Sequence, residues 1–80
     1  MQSLDTRIDS HRHLADLAIQ DVLEDARELL RLNEQLQSTP DGEARENLQI
    51  ELEVQITAIR IHALSAEEAI EAYTDALPDE

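Results

Sequence analysis

Three histidines (His11, His13 and His62) and 19 carboxylates are the side chains of this 80-residue chain that could do acid–base or metal chemistry. His13 lies four residues after Asp9 and three before Asp16, so a helix presents all three on one face. If the chain folds back on itself, Glu68 falls level with them. Imidazole and carboxylates together are a ligand set for a divalent cation. The same residues also make an ordinary solvated ion-pair cluster, which is the preferred reading, so no metal and no cofactor is expected. His62 lacks a glutamate three residues before it, since Ile59 stands there, and the Glu-x-x-His pair of di-iron bundles is therefore missing.

Carboxylates spaced three apart (Asp21/Glu24, Asp25/Glu28, Glu43/Glu46 and Glu68/Glu71) have the spacing of a magnesium-binding pair. With 19 acids in 80 residues, composition alone generates such pairs. The chain has no Gly-rich phosphate loop, no Ser/His/Asp triad spacing, no Cys nucleophile and no Lys for Schiff-base chemistry. An enzyme is not expected. Asp25 alone interrupts an apolar series. A buried carboxylate there needs a partner such as Arg27 or Arg60; packing through Ala26 instead leaves Asp25 at the edge, and that is the expectation.

The elements that must position these residues are helices. The breakers Pro40, Gly42 and Pro78 sit at the middle and the end, strand formers are scarce, and Ala, Leu, Glu, Gln and Arg dominate. Ser38-Thr39-Pro40-Asp41-Gly42 is the one internal breaker cluster. The fold class predicted is all-α: a helix over about 4–37, a turn at 38–42 and a helix over about 42–77, in one domain spanning 1–80. Asp41 is the expected cap of the second helix. Leu4, Ile8, His11, Ala15, Ala18, Val22, Asp25, Leu29, Leu32 and Leu36 alternate steps of four and three, as do Leu52, Ile56, Ile59, Ala63, Ala66, Ile70, Tyr73 and Leu77. Positions such as 22 and 59, or 15 and 66, fall level when the chain folds about residues 40–41, which predicts an antiparallel hairpin. Ser65-Ala66-Glu67-Glu68 has the form of a capping box, yet the seam passes through it in phase, so the second helix is expected to be continuous.

A hairpin this short has a poor core of its own. Outside the seams, Ile19, Leu23 and Leu30 widen the first helix's stripe, and Ile50, Val54, Ile61 and Leu64 mark a second face on the other helix. A helix apolar on two faces must be covered twice. These residues are the expected oligomer interface, through which a second copy completes a four-helix-bundle homodimer. His11-Arg12-His13 on the first helix of such a hairpin resembles the layout of sensor-kinase dimerisation domains. Without that family's downstream Pro pattern, the resemblance implies at most a minor alternative of His phosphotransfer.

The net charge of −13 excludes direct nucleic-acid binding, and no apolar run is long enough to span a membrane. The first residues lack a signal-peptide layout, so a cytoplasmic protein is expected. Residues 1–40 carry a net −4 and residues 41–80 a net −9, with no basic residue after Arg60. The acids of the open end, Asp5, Asp9, Asp16, Glu67, Glu68, Glu71 and Asp75, are the expected contact surface for a basic partner protein. The composition resembles that of small acidic inhibitors that mimic nucleic acid, anti-CRISPR proteins among them. The alternative is a structural or adaptor subunit whose acidity serves solubility or salt adaptation.

Overall fold

The computed structural model describes residues 4–78. Two long helices, α1 (Leu4–Ser38) and α2 (Glu43–Ala76), pack against each other as an antiparallel hairpin measuring 59 × 24 × 14 Å. α2 runs unbroken through Ser65. No helix among the described residues is long and apolar enough to cross a membrane.

The reversal between the helices is made by local hydrogen bonds and one glycine. Thr39 Oγ1 donates to the Gln35 carbonyl at 2.6 Å and the Thr39 amide to Leu36 at 3.3 Å, closing the end of α1. Pro40 has no amide to continue the helix. Gly42 then adopts φ +143° and ψ −169°, a region open essentially to glycine alone, and its carbonyl accepts the Glu46 amide at 3.1 Å. Gly42 therefore holds the cap position. Asp41, expected to cap α2, lies one residue too early; its carboxylate pairs with Arg45 at 3.1 Å instead. Glu43 and Glu46 occupy the first turn, where the helix dipole favours negative charge. At the far end Pro78 forces Leu77 into an extended conformation, and α2 stops.

The seam of α1 follows its sequence pattern from Ile8 onward, while Leu4, expected to begin it, is exposed. Ile8, His11, Ala15, Ala18, Val22, Asp25, Leu29, Leu32 and Leu36 are all buried or half-buried. The seam of α2 departs from its pattern. Leu48, Leu52, Gln55, Ile59, His62, Ala66, Ala69, Tyr73 and Ala76 face α1, so Gln55, His62, Ala69 and Ala76 take the places expected for Ile56, Ala63, Ile70 and Leu77. The helix is turned so that two polar residues enter the interface and a row of apolar ones is left half out.

The resulting core is thin. Ala15, Leu32 and Ala66 are the buried apolar residues, and no large side chain among the described residues is completely enclosed. Packing of this extent gives a marginal fold by itself.

Candidate functional site

The first unusual feature is a polar layer midway along the seam. Asp25 is buried at 9% exposure, while Ala26 beside it is exposed, which corrects the expectation that packing leans on Ala26 and leaves Asp25 at the edge. Its partners are also not Arg27 or Arg60. Gln55 Nε2 donates to Asp25 Oδ1 at 3.0 Å, and His62 Nδ1 donates to Asp25 Oδ2. Gln55 and His62 are seven residues apart on α2, two successive turns on one side, and they grip the carboxylate from both flanks. Every buried side-chain N or O among the described residues has a hydrogen-bond partner. A carboxylate withdrawn from water needs such partners, and this requirement accounts for the rotation of α2. The His62 pKa is raised above its ordinary value, first by the hydrogen bond to Asp25 and then by the nearby charges of Asp25, Asp21 and Glu24, against some loss of hydration.

The sequence contained a signal for this layer. An acid at a seam position demands donors from the facing helix, and Gln55 and His62 are the polar residues within reach there. A periodicity that tracks only apolar side chains passes over them.

The second feature is the acidic open end. Asp5, Asp9, Asp16, Glu67, Glu68, Glu71 and Asp75 are all exposed. Asp9 is partly neutralised by Arg12 at 3.2 Å, an exposed pair of small energetic value. His13 is exposed, and no three His or acidic residues among the described ones converge to hold a metal ion, so Asp9, His13, Asp16 and Glu68 are not gathered into a site. His11 is half-buried in the seam. Near the turn Arg31 bridges Glu28 and Gln35 and holds the Glu28 carboxyl below its usual range.

The third feature is apolar. Ile19, Leu23, Leu30, Ile50, Val54, Ile61 and Leu64 all stand between 47% and 64% exposed. Leu14 and Leu17 on α1 and Ile56 and Ile70 on α2 are exposed as well. A shallow depression of about 370 Å³ opens between the helices, lined by Ile19, Val22, Ala63, Ala66 and Ile70 with Glu67 and Glu71 at its rim. Scattered surface leucines are ordinary; Ile19 and Ile70 differ in lining the depression.

The site therefore offers association chemistry. It has an apolar surface with a receptive depression, a negatively charged end and a hydrogen-bonded layer inside. Comparison with known proteins gives no match: no family model, no curated protein and no solved structure is similar to this chain.

Proposed function

We propose that this chain is a non-enzymatic acidic interaction module that works as a helical-bundle homodimer and engages a basic site on a partner protein through its negative open end. The observation that carries this reading is the exposure of many large aliphatic side chains on a hairpin that buries, among its described residues, just one large one, Leu32. A second hairpin over the apolar surface supplies the missing burial, at roughly 25 cal/mol per Å² of apolar area removed from water. The charge then has a separate use. Glu67, Glu68, Glu71 and Asp75 project from the last turns of α2, a stretch that itself carries no basic residue after Arg60. Such an end attracts basic surfaces quickly and with strong salt dependence. A module of this kind suits an inhibitor or regulator that occupies a protein site shaped for the phosphate backbone.

Two measurements test this reading. Sedimentation equilibrium of the wild-type chain is expected to give a dimer; a monomer at all concentrations overturns the assembly half. For the charge half, the probe is an arginine-rich peptide, titrated against the wild type and a variant with Glu67, Glu68, Glu71 and Asp75 all changed to Lys. Binding that weakens steeply with salt and vanishes in the variant, with the dimer intact, supports an electrostatic contact surface. Equal binding by both proteins at low salt overturns it.

A further inference from the structure

The exposed apolar side chains form two surfaces that point in different directions. At 3.6 residues per turn, Ile19, Leu23 and Leu30 form one stripe along α1, and Ile56, Ala63 and Ile70 form one along α2. The depression draws on both helices at Ile19, Ala63 and Ile70, so the two stripes share one broad face of the hairpin. Ile50, Val54 and Ile61 lie elsewhere, around the side of α2 turned away from α1. The shared face is uneven along its length. Its half toward the open end contains the depression, lined by Ala63 and Ala66 with Ile19 and Ile70 beside them. Its half toward the turn carries the exposed bulk of Leu23, Leu30 and Ile56.

We propose that a second copy of this chain docks on the shared face with its turn over the first copy's open end, about a two-fold axis through the middle of the hairpin. The proposal rests on the homodimer reading above and adds to it the face and the direction. The first argument is the relief. The middle of the hairpin falls at residue 21 of α1 and between residues 59 and 60 of α2. A two-fold axis there lays α1 antiparallel on the other α1, and α2 on the other α2. Ile19 then meets the second copy's Leu23, and Ile56 meets the second copy's Ala63. The bulky half of each copy lies over the hollow half of the other. With both turns at the same end, hollow would face hollow and bulk would face bulk, leaving voids that cost dispersion contacts.

Area gives the second argument. At 1.5 Å per residue, the apolar part of the face runs roughly 30 Å along a hairpin 24 Å wide. That footprint is close to the ~800 Å² per partner of a standard stable interface. The dimer so formed is a rod with an acidic tip at each end, suited to engaging two basic sites at once.

The chain has no native cysteine, so single-cysteine labelling is clean. Asp75→Cys carrying a nitroxide reports the distance between the two open ends by dipolar electron resonance. Turn-over-open-end docking places the labels about 45 Å apart, from 1.5 Å rise per residue on either side of the axis. Docking with the turns together brings them within about 25 Å, two to three helix diameters. Ala63→Glu, which fills and charges the depression, is expected to give a helical monomer, whereas Ile61→Glu on the far side of α2 is expected to remain a dimer. Circular dichroism of both variants separates lost docking from lost folding. A dimer with the short distance overturns this arrangement and leaves the homodimer reading standing. A dimer disrupted by Ile61→Glu and not by Ala63→Glu overturns the choice of face. A wild-type chain that is monomeric, or that forms an assembly larger than a dimer, overturns both readings.

Discussion

Replacing Asp25 with Leu tests the account of the polar layer most directly. The carboxylate is buried at 9% exposure and held by one hydrogen bond from Gln55 and one from His62. Withdrawing a carboxylate from water carries a penalty that such contacts repay only in part; replacing a whole buried pair with apolar residues is often neutral or stabilising by about 1–4 kcal/mol, and removing one partner is costly only where the other is left as a buried charge. A leucine buried at the same place gains roughly 1.5–3 kcal/mol from the hydrophobic effect. Losing the Gln55 bond to the ionised carboxylate offsets about 1.5–3 kcal/mol of this, so the net gain comes from relieving the carboxylate's desolvation. His62 is 42% exposed at its side chain, so its ring finds water when the partner is gone. The expected result is a stabilisation of about 1 kcal/mol or more, equivalent to a rise in Tm of roughly 5–10 °C for a chain of this size. Urea unfolding followed by circular dichroism at a fixed chain concentration measures it. The pH dependence supplies an internal control. Because Asp25 raises the His62 pKa, the folded state holds that proton more tightly than the unfolded chain. Its contribution is complete below the ordinary histidine value of about 6.5 and is lost as pH rises through the raised folded value. The wild type should lose stability across that window and Asp25→Leu should lose less. Asp25→Asn, which keeps the shape, should flatten the pH profile without gaining stability. If Asp25→Leu instead lowers stability by more than about 1 kcal/mol at pH values where His62 is neutral, the polar layer is a net source of stability and the reasoning fails.

Three further outcomes follow from the same structure. Leu32 is the most enclosed large side chain at 2% exposure, so Leu32→Ala should cost about 2–4 kcal/mol in urea unfolding, more than any truncation on the shared face of the separated monomer. Gly42→Ala meets no atom within 4 Å, so its cost comes from backbone strain at φ +143° alone; about 1–3 kcal/mol is expected, with no change in helix content. Raising salt from about 20 to about 200 mM should increase Tm, because a net charge of −13 repels itself and screening relieves it; a fall would show that the few ion pairs outweigh the repulsion.

The hairpin was legible because its signals agree. One breaker cluster, long runs of helix formers and a seam that stays in phase through Ser65 all point to two helices and a single reversal. The face of α1 was legible for the same reason, since its longest in-phase series is also, from Ile8 onward, the one it buries. Asp41 was misread because a side-chain cap and a glycine one residue later compete for one position, and Gly42 takes it with a backbone conformation Asp41 could not adopt there. The face of α2 was ambiguous by construction. Its apolar residues cover more than half the circumference, so apolar spacing alone fits more than one orientation toward α1.

Asp25 resolves that ambiguity and links the interior of the hairpin to its outer surface. Its need for donors draws Gln55 and His62 into the seam. Two helical residues adjacent in sequence are about 100° apart around the axis, so Ile56 and Ala63 are necessarily swung outward when Gln55 and His62 turn inward. The half-exposed row that lines the depression is thus a consequence of a buried carboxylate on the opposite helix. This linkage makes a prediction that neither feature makes alone. A variant combining Asp25→Leu, Gln55→Ala and His62→Ala removes the reason for the rotation, and α2 should turn to bury Ile56, Ala63 and Ile70 against α1. The hairpin itself should become more stable while self-association weakens by at least about tenfold, a shift of roughly 1.4 kcal/mol in sedimentation equilibrium. Unchanged association in a stabilised variant would show that the outer apolar face is set by α2 itself, with Asp25 only accommodated to it.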